Sequence, residues 1–355
     1  MPWKVIDRDC KQKSTGKTGS HVVVKKKRGG KTEQESCHTS EEKASAALRA
    51  RYANEADEAS ERQDLTERVL TRLLALAPKR IDECIIVSGE IDGEHVMAKT
   101  RDRNYPTRCR IVRELTDDDV EIVYFKDRDT GYAEGMNSHG IGVINAALAV
   151  SEDENEVKGK VKSQDGPRMR KALECSSLND AIRSLVGYKG GIKGHTFIGN
   201  NKSVYSIEQS SEHNPIVTKL KPKTGFDVRT NHGQDHEGAG YTPDRRPDDY
   251  MSSKIRKAQA EVELAGVVDF EDVAPTLASQ NFEKGSNYNM LRRVDKKAGM
   301  ITTSQIAMNL PNLEFVFYYF PEEGTYDGII DRTPDDYDPK INIRVVKYNE
   351  DGDNE

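Results

Sequence analysis

Residues 81–93 read IDECIIVSGEIDG, and residues 94–106 continue EHVMAKTRDRNYP. Cys84 opens an apolar run that stops at Gly89. Asp92-Gly93 is the dipeptide that closes a two-residue hairpin, because both positions tolerate a left-handed backbone. CIIVSG and EHVMAKTR are therefore predicted as paired antiparallel strands. A cysteine in an apolar strand is a packing residue in most proteins. Whether this one has chemistry depends on its surroundings in the chain, and 83 residues precede it.

Downstream the strand pattern persists. RCRIVRELT and DVEIVYFKD alternate apolar and polar residues, as half-buried antiparallel strands do. GMNSHGIGVINAALAV is Gly-rich and then apolar, and SEDENEVKGKVKSQDGP is a polar loop. PRMRKALECSSLNDAIRSLVG holds two short helices, and HTFIGNNKSVYSIEQS is a hairpin turning at Asn200-Asn201. FDVRTNHG ends a further strand, and SSKIRKAQAEVELAG is a helix with a Gly stop. MITTSQIAMNLPNLEFVFYYF and NIRVVKY return to strands. Strands, helices and strands again predict an α+β fold rather than βαβ winding.

Upstream, residues 1–35 hold Lys, Gly, Ser and Thr around a short apolar run, Val22-Val23-Val24, and predict a small hairpin at most. Thr39 and Glu42 fit a capping box for a helix over about 40–54. In a second helix Leu65, Val69, Leu73 and Leu76 share one face, and Pro78 stops it. Three segments are expected: 1–83, a basic arm plus helical hairpin; 84–349, the main domain; and 350–355, an acidic tail.

Net charge over the 355 residues is −6, too small to imply a partner. Residues 1–31 carry ten Lys or Arg against two Asp, a local +8 (10 − 2). That arm reads as a solvated terminus rather than a nucleic-acid contact. Five cysteines at irregular spacing argue against a disulfide framework and for a reducing compartment, hence the cytoplasm. No CxxC or HExxH cluster occurs, and neither metal nor cofactor is expected. No apolar run approaches the ~20 residues of a membrane span.

CIIVSGEIDGEHVMAKTRDRNYP, EGMNSHGIGVINAAL, VRTNHG and YMSSKIRKAQ occur in that order. Together they resemble the N-terminal-nucleophile (Ntn) cysteine hydrolases. The nearest branch is acyl-CoA:6-aminopenicillanate acyltransferase and linear-amide C–N hydrolases, with choloylglycine hydrolases more distant. The resemblance spans roughly residues 84–349. It implies an αββα sandwich of two antiparallel sheets flanked by helices, here with an N-terminal helical appendage. It implies action on a linear amide of a small molecule or peptide, and cleavage between Glu83 and Cys84 that makes residues 1–83 a propeptide. By resemblance Cys84 is the nucleophile, Asn231 an oxyanion donor, Arg101 a cation beside the thiol, Arg256 an ordering arginine and Asn145 a pocket residue. Asn104 stands where the family usually places an aspartate, and Asp102 is an alternative holder of the amine. Glu83 replaces the small residue usual before the nucleophile.

The chemistry is independent of the family. A cysteine freed at its nitrogen carries nucleophile and base in one residue, because an α-amine with a pKa near 7.7–8 can relay the thiol proton. The structural alternatives are plain. Cys84 can be packing, Asn231 a turn former, Arg101 and Arg256 surface cations. His139 and His232 invite a Cys/His dyad; Cys109 and Cys175 read as inert.

WKVIDRD followed by SCHTSEEKASAALRARYANE resembles short modules on phage head proteins and prohead proteases. This implies a maturation enzyme or virion component, with phage structural proteins or a second copy of the chain as partners. A non-catalytic structural use of the fold is the competing reading.

Overall fold

The computed structural model describes residues 3–12, 15–26, 32–48, 82–104, 107–128, 131–148, 165–186, 192–210, 214–221, 225–236, 239–240, 243–244, 247–282, 286–292, 300–320 and 324–348. The chain divides into two compact units, Met1–Lys79 and Arg80–Glu355.

In the first unit the expected hairpin is a three-stranded antiparallel sheet of order β1 (Trp3–Lys11), β2 (Thr18–Lys26) and β3 (Thr32–His38). Val22, Val23 and Val24 are buried. The reading of the cysteines is corrected here: Cys10 and Cys37 form a disulfide, with their Cα atoms 5.8 Å apart. They lie on the two outer strands, so the bridge crosses β2. Cys10 pairs in register with Gly19 of β2. A Cβ on Gly19 would stand 2.3 Å from the His38 carbonyl oxygen and 3.0 Å from Cys37 Sγ. Glycine is what leaves the bridge its path, and a spacing of 27 residues announces nothing of this in the sequence. The cysteine argument for a reducing compartment falls with it. Residues 41–48 are helical. The rest of the expected first helix, the whole second helix, the polar loop from residue 151 and the acidic tail lie outside the described residues.

The second unit contains two sheets. The six-stranded sheet has order β13 (Phe226–Arg229), β4 (Asp82–Ile91), β5 (Glu94–Arg103), β14 (Ile301–Asn309), β15 (Glu314–Tyr319), β17 (Asn342–Lys347). The eight-stranded sheet has order β12 (Ile216–Lys219), β11 (Ser203–Gln209), β10 (Gly194–Asn200), β9 (Gly142–Ala146), β8 (Ala133–Asn137), β7 (Glu121–Asp127), β6 (Thr107–Leu115), β16 (Gly324–Arg332).

Apolar residues sort by strand alternation into three cores. Ile86 and Met97 of one sheet pack against Ile111, Val123, Phe125, Ile144 and Phe197 of the other. On the far side of the six-stranded sheet, Ile85, Val87 and Ala98 pack against Ala260 of helix α3 (Pro247–Glu263) and Ala274 and Leu277 of α4 (Val273–Leu277). On the far side of the eight-stranded sheet, Val143 and Ile198 meet Met169 and Leu173 of α1 (Asp165–Leu173) and Leu185 of α2 (Leu178–Val186). The architecture is α+β, helix–sheet–sheet–helix, as expected.

The β4–β5 hairpin turns at Asp92 and Gly93, with φ of 50° and 81°. Three details differ from expectation. β12 and β16 were not foreseen. The β10–β11 turn is at Asn201-Lys202, since Asn200 pairs with Ser203. The sheets are not wholly antiparallel: β16 joins β6, and β17 joins β15, in parallel. A register shift between Tyr326 and Ile329 bends β16 at Gly328, φ 87°.

Gly19→Val should prevent the Cys10–Cys37 bridge. Thiol titration of the denatured, unreduced chain should count three free thiols in the parent, from Cys84, Cys109 and Cys175, and more in the variant.

Candidate active site

Cys84 is the third residue of β4 and is 2% exposed. Its side chain joins the core between the sheets, whereas Ile85 belongs to the core under the helices. Adjacent residues point to opposite faces of a strand, so Glu83 faces the helix layer. In register, Cys84 sits opposite Arg101 and Glu83 opposite Asp102.

The third element is the segment after β13. The pairing of that strand with β4 runs from Phe226↔Gly89 to Arg229↔Ile86. Two further residues bring Asn231 level with Cys84. There the Asn231 side chain replaces the backbone ladder, and the Cys84 N–H donates to Asn231 Oδ1 at 3.2 Å. That oxygen also accepts from Arg256 Nη2 at 3.1 Å. A guanidinium only donates, so this contact fixes the amide orientation and leaves Nδ2 to donate to Ala147 O at 2.6 Å.

Helix α3 supplies the supports. Ser253 Oγ accepts from Asn231 N at 2.9 Å and contacts His232 Nδ1 at 2.8 Å. Thr230 Oγ1 donates to Ser253 O at 3.0 Å. One turn along, buried Arg256 donates from Nη1 to Asp102 Oδ2 at 3.0 Å and from Nη2 to Glu83 Oε2 at 2.8 Å. Arg292 Nη1 lies 2.7 Å from the same Glu83 oxygen. Ser252 accepts from Arg292 Nη2 at 2.7 Å, and Thr302 Oγ1 donates to Asp102 Oδ1 at 2.8 Å. Burial pushes the Asp102 carboxyl up from its ordinary range, against the pull of Arg292 and Arg256.

A second charged group lies on the Cys84 face. Lys99 and Arg101 both pair with Glu134, and Arg101 and Arg103 both approach Asp127, at 3.4 and 3.3 Å. Arg101 also stacks over the Phe125 ring at 4.6 Å. Burial, then the Arg101 charge, lowers the Lys99 ammonium; Cys84 and Glu134 oppose that. Burial raises Glu134, but Arg101 and Lys99 more than reverse it, so it is held below its ordinary value. Burial works to lower Arg101, and Glu134 and Asp127 outweigh it. Lys99, Arg101, Phe125, Glu134 and Ser304–Ile306 surround a gap too small to admit water.

Of the sequence-predicted residues, Cys84, Arg101, Asn231 and Arg256 converge, with Asp102 and Glu83 behind them. Asp102 holds Arg256 rather than the Cys84 nitrogen. Asn104 follows the end of β5 and is half-buried. The Asn145 side chain is turned away: its Nδ2 donates to Thr196 Oγ1 at 2.9 Å, and only its backbone carbonyl accepts from Lys99. His232 serves Ser253 and Thr230, and His139 N donates to Asn137 Oδ1 at 3.0 Å. Burial raises Cys109 to about 12, which keeps it a thiol. Lys99, Glu134, Ser253 and Arg292 were missed. Ser253 was in view, at i and i+3 with Arg256 in YMSSKIRKAQ. Among the described residues no group of three or more His, Cys, Asp or Glu could hold a metal ion, and no helix is long and apolar enough to cross a membrane.

Residues 91–263 match the family model for acyl-coenzyme A:6-aminopenicillanic acid acyl-transferase. The match takes in Arg101, Asp102, Asn104, Asn145, Asn231 and Arg256, and begins seven residues after Cys84 (91 − 84). It agrees with the resemblance carried by the four motifs to the N-terminal-nucleophile acyltransferases. It lends no support to the phage resemblance of the N-terminal segment. A solved structure, penicillin V acylase from Agrobacterium tumefaciens, is similar at a TM-score of 0.36 and 10% identity, over 66% of this chain and 86% of that one. No curated protein matches the sequence.

Two measurements probe this arrangement. Arg256→Met should cost about 3–5 kcal/mol in urea unfolding, because it strands buried carboxylates. Burial holds His195 at about 3 and His232 at about 4, below the ordinary 6.5. A depressed histidine leaves the fold fully stable above the unfolded-state value. The unfolded chain then binds protons first as pH falls. The urea midpoint should therefore drop between pH 6.5 and 4, and His232→Asn should shrink that drop.

Proposed function

We propose that the chain is a cysteine N-terminal-nucleophile amidohydrolase or acyltransferase for linear C–N amides, matured by cleavage between Glu83 and Cys84. The observation that carries this reading is the Cys84 nitrogen held on Asn231 Oδ1 at 3.2 Å, level in the sheet with Arg101. The β13 ladder ends at Arg229, short of Cys84, so the acceptor there is a side chain, whose oxygen suits an amine as well as an amide N–H.

In the first reaction Cys84 Sγ attacks the Glu83 carbonyl carbon. The Glu83–Cys84 C–N bond breaks, the nitrogen takes a proton and becomes the α-amine, and Glu83 is left as a thioester. Water opens the thioester, releasing a Glu83 carboxylate and restoring the thiol. Asn231 Oδ1 then holds the new amine where it held the amide. In the second reaction that amine accepts the thiol proton as Sγ attacks a substrate amide, and returns it to the leaving amine. Water, or an acceptor nucleophile, discharges the acyl group. An amide NH₂ carries two protons, so the bond from Asn231 to Ala147 leaves one for an oxyanion. Lys99 and Arg101 add positive charge on the same face.

Intact-mass spectrometry should find a species beginning at Cys84, absent in Cys84→Ala. Persistence of the uncut chain under every condition tried removes the maturation step. Asn231→Ala should lower kcat by about 10²–10³-fold on a cleaved amide.

A second reading comes from the 2% exposure of Cys84: a structural module that keeps the fold without catalysis, in a phage particle or elsewhere. Iodoacetamide near pH 7 separates the two. A nucleophilic Cys84 is labelled well ahead of Cys109 and Cys175, and equal slow labelling favours the structural module.

A further inference from the structure

Glu83 departs from what self-cleavage alone requires. The residue before the nucleophile needs only a carbonyl, and a small side chain would serve. Here it is a buried glutamate whose carboxylate is gripped by two guanidiniums, Arg256 Nη2 at 2.8 Å and Arg292 Nη1 at 2.7 Å. Both cations come from outside β4, and both have positioning partners of their own. Arg256 is braced by Asp102 at 3.0 Å, and Arg292 by Ser252 at 2.7 Å and by the Asn287 carbonyl at 3.0 Å. This is a built carboxylate site, at the position from which an acyl group is delivered to Sγ.

The chemistry makes residue 83 a template. In the first reaction Glu83 is the acyl donor, and its carbonyl carbon bonds to Sγ. In every later turnover the substrate acyl carbon must reach the same point. Its chain then takes the course of Glu83, toward Arg256 and Arg292. Once residue 83 is released, Asp102 alone of the two carboxylates faces both guanidiniums.

We propose that Arg256 and Arg292 form the acyl-side recognition site and select amides whose acyl group ends in a carboxylate spaced like that of glutamate: a glutaryl amide, or a peptide bond following glutamate. This deepens the amidohydrolase reading and rests on it. In the step, Sγ bonds to the acyl carbonyl carbon, and the C–N bond breaks with the amine leaving protonated. Water then cleaves the thioester to the free dicarboxylic acid and the thiol. Arg292 meets the acyl side chain rather than the reacting atoms, so it acts through positioning.

The test uses the full chain after it has processed itself, with glutaryl-p-nitroanilide and pentanoyl-p-nitroanilide as a charged and neutral pair. The glutaryl compound should be preferred in kcat/KM by about 10²-fold, as expected when the neutral analogue brings no carboxylate to the two guanidiniums. Arg292→Met should cut the preference at least tenfold, through a raised KM for the glutaryl compound, and Arg292→Lys should restore part of it. Where Arg292→Met fails to fold, protection of parent Cys84 from iodoacetamide decides, with glutarate protecting and pentanoate not. Self-cleavage with equal turnover of both anilides, or equal protection by both acids, overturns the carboxylate site and leaves the amidohydrolase standing. An uncut chain that turns over neither anilide overturns both.

Discussion

The site depends on one guanidinium in a dry place. Arg256 is fully buried and bridges three segments far apart in sequence: Glu83 on β4, Asp102 on β5 and Asn231 beyond β13. A charge taken out of water is tolerable only with partners on several sides. The requirement runs both ways. The arginine needs its acceptors, and the acceptors are thereby fixed to within hydrogen-bond tolerance of one another. Asn231 is oriented because Arg256 claims its oxygen, and Cys84 N is held because that oxygen has a second lone pair.

The six-stranded sheet separates two electrical environments across one strand's thickness. On the helix side, Glu83 and Asp102 are matched to Arg256 and Arg292. Between the sheets, Lys99, Arg101 and Arg103 are matched to Asp127 and Glu134 from the opposite sheet. Cys84 lies on the second side, with its backbone nitrogen reached from the first. The α+β sandwich thus places the Cys84 side chain and the Arg256 support on opposite faces of one strand, and Asn231 links the two through the Cys84 nitrogen.

Much of this was legible in the sequence, for identifiable reasons. Asp92-Gly93 forces a turn, and alternation in RCRIVRELT and DVEIVYFKD reports one buried face per strand; these signals are local. The order of four short motifs pointed to Cys84, Arg101, Asn231 and Arg256. What stayed hidden was set by partners distant in the chain. Lys99 and Arg103 went unnoticed in EHVMAKTRDRNYP, because nothing nearby shows that Glu134 and Asp127 will meet them in the interior. Arg292 is an unremarked cation until Ser252 and Glu83 surround it. Asn145 looked like a pocket residue, but strand alternation turns its side chain to the α1 and α2 side. The Cys10–Cys37 pair is invisible until three strands align and Gly19 opens a path.

The central hairpin of the six-stranded sheet is made early in the chain, but its other neighbours come late. β14, which pairs with β5 and places Thr302 on Asp102, starts at residue 301, and Tyr348 hydrogen-bonds Gln305 of that strand at 2.9 Å. β16 and β17 finish one edge of each sheet. During synthesis, Cys84 leaves the ribosome more than two hundred residues before these strands (301 − 84 = 217). The scaffold around Cys84 is therefore assembled only once β14 has been made, and a nascent chain halted before residue 301 carries Cys84 without the strand that places Thr302 on Asp102.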